Sequence, residues 1–276
     1  MFDHCKFNVR SRYMLLIDEE PEQISRRDMQ HIIMRHHLHG NFNAPLEEEL
    51  EEGIKVLELG CGSGRWIRDM AEDYPRSSFT GVDVTEVYPT SDIPVNCTFV
   101  NADVRKSLPF EDGEFDYVFQ RFMVLSYTPE DWHAVTRELV RVTKPGGWLE
   151  LFEQAATVER PPVSMTVWNA ALAETKSRGI DVSYAWQIGN LLKAHGMSDV
   201  IEDYVSFPIG WGETIAEFHA YKIFLLYLAM EPTLAPALGV KHDEYVRLTE
   251  MFIDGLTENR SWFKAPYAYG RKPLNY

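Results

Sequence analysis

The chain has 276 residues, of which 45% are apolar, and its 42 acidic against 27 Lys and Arg side chains give a formal net charge of −15. A field of that sign repels phosphate backbones and acidic lipid surfaces, and no dense basic stripe offsets it, so we expect neither nucleic acid nor a membrane as a partner. The length suits one enlarged domain, and no apolar run reaches the roughly 18 residues that would indicate a membrane span.

The amino-terminal residues Met1–Lys6 lack the hydrophobic core of a signal peptide. The three cysteines, Cys5, Cys61 and Cys97, are scattered along the chain without the spacing of a disulfide framework or a zinc site. A reduced intracellular compartment follows from this cysteine usage. We therefore expect a cytoplasmic protein, or a nuclear one if its role is regulatory.

Residues 1–45 are predicted to form an N-terminal helical cap. Between Pro21 and Gly40 apolar residues recur at helical spacing, so a helix there could pack over a pocket of the domain that follows. Its apolar positions are Ile24, Met29, Ile32 and Ile33, and its histidines are His31, His36, His37 and His39. Histidine spacing alone is a weak sign of a metal, so we predict no metal site and expect solvated or capping side chains. The acidic run Glu47–Glu52 is predicted to be a solvated helix or loop.

A buried strand and a glycine-rich turn follow the cap. The segment 54–59 is the short apolar run typical of a parallel strand that is covered on both faces. In the sequence Gly60-Cys61-Gly62-Ser63-Gly64 that comes next, the glycines let the backbone turn sharply and approach a ligand closely. A helix that begins there presents unpaired backbone N–H groups to that ligand. Because residue 65 is Arg, the dinucleotide fingerprint G-x-G-x-x-G is not met, and the turn favours S-adenosylmethionine (SAM) over NAD.

Three further predicted strands lead into polar residues. The strand Phe79–Asp83 ends in a carboxylate that can accept hydrogen bonds from both hydroxyls of a ribose. The strand Cys97–Asn101 leads to Asp103, which is placed to accept a hydrogen bond from an adenine amino group. A fourth strand covers residues 115–119. Since the carboxyl ends of parallel strands share one edge of a sheet, we expect these polar residues to meet there. They are Glu58, Asp83, Asp103, Gln120 and Arg121, and the apolar Phe122 follows them at the same edge.

The second half of the chain continues the alternation of strands and helices. Thr128 and Asp131 form a capping-box pattern that starts a helix, and Lys144–Gly147 is predicted to end it. The later predicted elements are a strand (148–152), two helices (163–176 and 185–195), a strand (200–207) and a last strand (262–270). Residues 212–259 are predicted to be an insertion whose two aromatic-rich helices, 213–228 and 243–256, form a lid, or a partner face if the protein is a homodimer.

Strands that alternate with helices predict a doubly wound α/β fold, and at this point the chain resembles a known family. Five motifs occur in the usual order, namely VLELGCGSGRW, GVD, NADV, FDYVFQRF and RVTKPGGWLEL. Over about residues 50–210 the chain is similar to the class I SAM-dependent methyltransferases. Within them it most resembles the LaeA-like (UMTA-type) methyltransferases of fungi, on the basis of Gln30-His31, Gly40-Asn41, Ala44-Pro45 and Lys144–Leu151.

The resemblance implies a Rossmann-like, doubly wound, seven-stranded and mostly parallel sheet, with the helical cap before it and the helical insertion before its last strand. Residues 46–276 would form the methyltransferase domain, with 212–259 as its lid and SAM as its cofactor. By resemblance, Glu58 helps to hold the SAM ammonium group, the three glycines line the methionine portion, Asp83 holds the ribose, and Asp103 with Val104 holds the adenine. The implied cofactor-binding residues are Glu58, Gly60, Cys61, Gly62, Gly64, Asp83, Val84, Asp103, Val104, Gln120 and Arg121.

These residues also have simpler explanations. The glycines could only make a tight turn, and Asp83 and Asp103 could be helix caps or turn residues. Glu58 could orient backbone amides without touching a ligand, and Cys61 is most simply a small spacer. Many relatives have threonines where this chain has Cys61-Gly62-Ser63, which is a conservative departure.

Methyl transfer from SAM mainly requires that the acceptor atom lie in line with the bond between the methyl carbon and the sulfur, at about 3–3.5 Å from that carbon. The candidates for a base or an orienting group are Tyr127, His133 and His219. None has the spacing of a catalytic dyad, so we assign no catalytic residue. Arg121 and Phe122 are expected to line the reaction chamber.

We predict an enzyme that methylates an O, N or C atom of a small metabolite, within specialised metabolism as the resemblance suggests. Two alternatives stay open. One is a LaeA-like regulatory or protein methyltransferase or scaffold, and the other is a SAM-binding fold with a different chemistry. A dehydrogenase is disfavoured by Arg65 and by the lack of a candidate site for hydride transfer.

Overall fold

The computed structural model describes residues 26–275, which fall into two compact units. The sheet unit comprises residues 38–156, 179–205 and 265–275, and the helical unit comprises residues 26–37, 157–178 and 206–264. The predicted division into a cap (1–45), a methyltransferase domain (46–276) and a lid (212–259) stays a prediction. The cap residue Ile24 lies outside the described residues.

The strands form the expected sheet. The described strands are β1 (Lys55–Leu59), β2 (Ser78–Asp83), β3 (Cys97–Asn101), β4 (Phe115–Arg121), β5 (Thr143–Phe152), β6 (Val158–Glu159), β7 (Ser198–Pro208) and β8 (Trp262–Arg271). In the sheet unit, β1 to β5 are parallel in the order β3-β2-β1-β4-β5, β8 joins β5 antiparallel, and β7 pairs with β8. This mostly parallel sheet with flanking helices confirms the predicted fold class. The short β6 pairs with the first residues of β8 in the helical unit.

Helices cover the sheet and build the second unit. The described helices are α1 (Arg26–Leu38), α2 (Glu47–Glu52), α3 (Arg65–Asp73), α4 (Pro129–Val142), α5 (Thr166–Ser177), α6 (Ile188–Ala194), α7 (Thr214–Leu238) and α8 (His242–Glu258), and a 3₁₀ turn covers Val182–Trp186. The helices α2, α3, α4 and α6 belong to the sheet unit. In the helical unit, α5, α7 and α8 pack against one another.

Each unit has its own apolar core. In the sheet unit, α4 turns Trp132, Val135 and Leu139 inward onto the sheet, as its apolar periodicity predicts. The predicted capping box starts this helix, because Asp131 N–H donates to Thr128 Oγ1 at 3.2 Å and Thr128 N–H donates to the Asp131 carboxylate at 3.0 Å. In the helical unit, aromatic side chains such as Phe252 form the core.

The predicted end of α4 is wrong. The helix ends at Val142, and the Lys144–Gly147 sequence lies inside β5 instead of closing the helix. The reason is that Thr143 already has extended backbone angles and pairs with Phe115 of β4. A bulge in the β4–β5 register then accommodates the Pro-Gly-Gly sequence.

Two other helix predictions also had wrong limits. The helix α7 was predicted to end at residue 228 but continues through Pro232 and Pro236 to Leu238, because Leu234 and Ala235 are buried in the core of the helical unit. The predicted helix 185–195 is a 3₁₀ turn followed by α6. No single helix within residues 26–275 is long and apolar enough to cross a membrane, and only α7 and α8 taken together, with a bend of 113° between them, reach that length and composition.

Candidate functional site

The carboxyl ends of the central strands meet at one edge of the sheet unit. On β1, Leu59 lies opposite Val82 of β2 on one side and opposite Gln120 of β4 on the other. Asp83 at the end of β2 lies opposite Asn101, which ends β3. The sheet therefore brings to a common edge the polar residues that the sequence placed at the ends of separate strands.

The glycine turn after β1 has the backbone that its sequence predicts. Gly60, Gly62 and Gly64 have φ angles of +71°, +56° and +72°, which residues other than glycine rarely adopt. A Cβ atom on Gly60 would lie 2.7 Å from the Met123 sulfur, and one on Gly64 would lie 2.6 Å from Phe99 Cζ. The backbone angles therefore favour glycine at all three positions, and the close approach of Met123 and Phe99 adds a second reason at Gly60 and Gly64.

The end of β2 holds this turn in place. Gly60 and Cys61 donate their backbone N–H groups to the Val82 carbonyl at 2.8 and 3.0 Å, and Gly62 donates its N–H to Asp83 Oδ2 at 2.9 Å. The other oxygen, Oδ1, accepts from the backbone N–H and the hydroxyl of Thr85, both at 2.9 Å. Asp83 thus has the turn role considered from the sequence. A carboxylate can accept about four hydrogen bonds, and Asp83 accepts three here, so it can also accept one from a ligand hydroxyl.

Glu58 and Arg121 form an ion pair beneath the turn. Glu58 is fully buried, and Arg121 Nε donates to its Oε1 at 3.2 Å. The second oxygen, Glu58 Oε2, is buried and has no hydrogen-bond partner among the described residues. Burial raises the pKa of Glu58 to about 7, while the charge of Arg121 opposes that rise. An added cationic group would supply the missing partner and stabilise the carboxylate.

Asp103 is paired with a neighbouring arginine, and the two valines of the predicted site differ in burial. The Asp103 carboxylate binds the guanidinium of Arg105 at 2.9 and 3.0 Å and also accepts the Arg105 backbone N–H, and these hydrogen bonds lower its pKa. Val104 is buried in the core of the sheet unit, whereas Val84 is 57% exposed. The adenine role of Asp103 stays a prediction, and Arg105 is a partner that the sequence reasoning did not foresee.

Gln120 and Tyr127 form a buried pair behind the edge. The Tyr127 hydroxyl donates to Gln120 Oε1 at 3.3 Å, and Gln120 Nε2 is buried without a partner among residues 26–275. Burial, with a further contribution from the charge of Glu153, raises the pKa of Tyr127 well above its usual range. A hydroxyl that stays protonated and is already donating a hydrogen bond is a poor general base, so Tyr127 is better suited to orienting Gln120.

The two histidine candidates belong to α4 of the sheet unit and to the helical unit. His133 of α4 lies on the surface, where its Nδ1 is 3.2 Å from Nε2 of His195. His219 lies in the helical unit and is buried; burial lowers its pKa to about 3. Neither histidine is therefore assigned as a catalytic base.

Two buried glutamates, Glu150 within β5 and Glu153 directly after it, were not predicted from the sequence as parts of the site. Glu153 accepts the backbone N–H groups of Met123 and Val124, each at 2.9 Å, and so holds the loop whose Met123 lies against Gly60. Glu150 accepts hydrogen bonds from Asn43, from the Ala44 N–H and from the Tyr117 hydroxyl. The signal for both was present, because a carboxylate in a strand buried on both faces must find partners.

A cavity, possible metal ligands and the Cys61 thiol were considered as alternative functional features within the described residues. A cavity of about 450 Å³ lies at the opposite end of β1 and β2, lined by charged residues such as Arg76 and by Gly53 and Gly113, and includes none of the predicted site residues. Within residues 26–275 no three His, Cys, Asp or Glu side chains are grouped to hold a metal ion. Burial raises the pKa of the Cys61 thiol well above its usual range, which fits a spacer and not a nucleophile.

Comparison with known proteins agrees with this geometry. Residues 56–147 match the model of a methyltransferase domain family. The chain is 34% identical over 137 residues to methyltransferase str2 of Strobilurus tenacellus, covering 50% of this chain and 47% of that protein. It is 30% identical over 212 residues to the secondary metabolism regulator LAE1 of Cochliobolus heterostrophus, covering 72% of this chain and 66% of that protein. The chain belongs to the class I SAM-dependent methyltransferases.

A solved structure shares the fold of this methyltransferase. It is phosphoethanolamine N-methyltransferase 2 of Haemonchus contortus in complex with phosphomonomethylethanolamine and S-adenosylhomocysteine, with a TM-score of 0.50 and 17% identity over 92% of this chain and 61% of that one. At this identity the likeness concerns the fold alone. The chain spans about half to two thirds of the length of the two curated relatives above, at 47% and 66%.

The residues of the methyltransferase edge fit its cofactor, SAM. The buried Glu58 Oε2, which has no partner among the described residues, suits a cationic ammonium group, and the turn of positive-φ glycines follows Glu58 closely in the chain. Asp83 and Asp103 supply carboxylates for hydroxyl and amino donors. When bound, SAM supplies a methyl group already activated by its sulfonium. The chain's own residues would bind and orient it.

Proposed function

We propose that this methyltransferase transfers the methyl group of SAM to an O, N or C atom of a small metabolite, in specialised metabolism. The observation that carries the proposal is the fully buried Glu58, with one oxygen on Arg121 and the other without a described partner, directly before a turn of three positive-φ glycines. A carboxylate kept in that state costs free energy unless a cation completes it. The likeness to methyltransferase str2 supports the reaction class.

The protein's part in the reaction is binding, orientation and exclusion of water. Glu58 and Asp83 complement the charge and the hydroxyl groups of the cofactor, and Glu153 fixes the loop beside the turn through Met123 and Val124. Holding the two reactants in line at about 3–3.5 Å can supply much of the acceleration without a strong base. This agrees with an edge at which no described side chain is set up as a general base.

A second candidate is a regulatory or protein methyltransferase, or a scaffold, which the similarity to the regulator LAE1 over 72% of this chain favours. Its localisation would be nuclear, whereas the metabolite enzyme would be cytoplasmic. For the favoured function, we propose a small-molecule acceptor with no nucleic-acid or membrane partner, as the net charge of −15 suggests. The cap, lid and homodimer remain parts of this proposal.

The test uses SAM with a radioactive methyl group and two acceptor pools, a fungal metabolite extract and a fungal protein extract. Label in the small-molecule fraction, together with S-adenosylhomocysteine, supports the metabolite enzyme. Label confined to protein would favour the second candidate. A protein that binds SAM but labels neither pool would contradict both. Glu58→Gln is the control, since it keeps the side-chain size and removes the charge.

A further inference from the structure

Two histidines that are far apart in the chain meet on the surface of the sheet unit. His133 lies on α4 and His195 directly follows α6, and Nδ1 of His133 is 3.2 Å from Nε2 of His195. The ring centroids are 5.4 Å apart, with an angle of 52° between the ring planes. His133 is exposed and His195 is partly buried, so a solute can reach the pair. The residues are 62 positions apart, so no spacing rule predicts this pair.

Both histidines lie on well-packed backbone. Trp132, the residue before His133, is buried in the core of the sheet unit. The backbone N–H of His195 donates to the Leu191 carbonyl at 3.0 Å, and Leu191 belongs to the same core. The helices α4 and α6 also contact each other. The fold itself therefore brings the two rings together, which lowers the entropic cost of ordering them around a ligand.

The distance between the two nitrogens suits a shared metal ion. Zinc binds imidazole nitrogen at about 2.0–2.1 Å, and two such bonds to nitrogens 3.2 Å apart enclose an angle of about 100–106° at the metal. That angle is close to the tetrahedral geometry of protein zinc sites. A small rotation of each ring would turn both lone pairs to one point. The proton of the hydrogen bond between the rings would then move to the other nitrogen of the ring that carries it, so no proton is lost.

The surroundings of the pair define the ion and the strength of its binding. Imidazole suits zinc, copper and nickel, whereas magnesium and calcium prefer oxygen ligands. Within residues 26–275 no third His, Cys, Asp or Glu side chain joins the two histidines, so water would complete the coordination. Burial lowers the pKa of His195, and the charges of His133 and Arg137 add to this effect, which favours the neutral imidazole that binds metals. Arg137 lies one turn after His133 on α4, and its charge opposes a bound cation.

We propose that His133 and His195 form a two-histidine site for a zinc ion, which joins α4 to the end of α6 in the sheet unit. His133 binds through Nδ1 and His195 through Nε2, and water fills the remaining positions. A metal bound only by the folded chain stabilises it by mass action. The proposal is independent of methyl transfer, in which neither histidine is assigned a role.

The test adds zinc to the full chain with isotopically labelled histidines and follows the imidazole nitrogen resonances, which the variants below assign. Zinc should move Nδ1 of His133 and Nε2 of His195 together, and magnesium at the same concentration should leave both in place. His133→Gln and His195→Gln should each weaken zinc binding at the remaining ring by roughly a hundredfold, because a chelate becomes a single ligand. His39→Asn removes an exposed histidine of the sheet unit and is the matched control, which should keep both shifts.

A further variant separates a metal site from a hydrogen bond between the rings. Arg137→Gln should bind zinc about two- to fivefold more tightly, because a positive charge near the ion is removed. Because His133 is exposed, His133→Gln should melt at the wild-type temperature without zinc, so its loss of binding cannot be attributed to misfolding.

Three results would overturn the proposal. They are a zinc shift at one ring alone, equal shifts with magnesium, and no shift at millimolar zinc, which would leave only a hydrogen bond between the rings. A protein that binds zinc at this pair but transfers no methyl group would contradict the proposed function and leave the metal site intact.

Discussion

Gly62 donates its backbone N–H to Asp83 Oδ2 at 2.9 Å, which ties the glycine turn after β1 to the carboxylate that ends β2. Two residues that the sequence assigned to different parts of the cofactor are thus mechanically coupled. A change at Asp83 should loosen the turn as well as remove an acceptor. Experiments on this residue must therefore separate the two effects.

Asp83→Ala should weaken SAM binding by about 1.5–3 kcal/mol, because a charge-assisted hydrogen-bond pair is lost. Calorimetric titration gives the dissociation constant. The comparison that isolates the ribose role uses S-adenosylhomocysteine and an analogue without the two ribose hydroxyls. Wild-type protein should prefer the first ligand, and Asp83→Ala should bind both alike. A preference that survives in Asp83→Ala would assign the residue to the turn alone.

Cofactor binding should depend on pH through Glu58. Because burial raises the pKa of Glu58 to about 7, the carboxyl becomes protonated below that pH and no longer attracts the SAM ammonium. Affinity should therefore be full above pH 7 and fall below it, approaching about tenfold for each pH unit. Titration calorimetry between pH 5.5 and 8.5 (~3 units) measures this dependence. Glu58→Gln should bind more weakly and lose the dependence, and a wild-type affinity that does not change over this interval would refute the assignment.

Gly64→Ala should destabilise the fold by about 2–4 kcal/mol, through left-handed backbone strain and overpacking together. The added Cβ would lie 2.6 Å from Phe99 Cζ, at a φ of +72°. Gly239→Ala has a similar φ of +69° and nothing within 4 Å, so it should cost only the strain, about 1 kcal/mol. Gly40→Ala, with open space and no positive φ, should be close to neutral. Urea unfolding ranks the three variants, and equal effects at Gly64 and Gly239 would mean that Phe99 gives way.

Glu153→Gln should lower the free energy of unfolding by about 1–3 kcal/mol, because an amide NH₂ would face a backbone N–H that now donates to a carboxylate oxygen. The loop at Met123 and Val124 would shift away from the glycine turn. Urea unfolding gives the stability, and SAM calorimetry reports on the turn. Glu51→Gln on the exposed face of α2 is the control. If SAM affinity is unchanged while stability falls, Glu153 supports the fold without positioning the turn.

The sheet was predictable because its signals are local. Short apolar runs, glycines and a terminal carboxylate mark β1, β2 and β3, and the predicted limits of β3, Cys97–Asn101, are those observed. The α7 boundary was not predictable, because burial of Leu234 and Ala235 outweighs the two prolines, and burial depends on the assembled unit. Prolines are local signals for the end of a helix, but in α7 tertiary packing overrides them and the helix continues.

The sequence predicted which residues lie at the candidate site, but not which of them form hydrogen bonds or ion pairs with one another. Glu58 and Arg121 were each placed at the edge, yet their ion pair joins residues 63 positions apart. Likewise Glu153 binds a loop 29 and 30 residues earlier, and no spacing rule connects such distant partners. A buried acid in a strand predicts that a partner exists, while the fold alone identifies it.

The most direct test follows backbone amide resonances of the labelled protein while S-adenosylhomocysteine is added. We predict that Gly60, Gly62 and Gly64 shift together with Asp83, because these amides surround the turn. Gly53 and Gly113, which line the cavity at the opposite end of the strands, are internal controls and should stay in place. Shifts confined to Gly53 and Gly113, or no shift at millimolar ligand, would contradict a cofactor site at this edge.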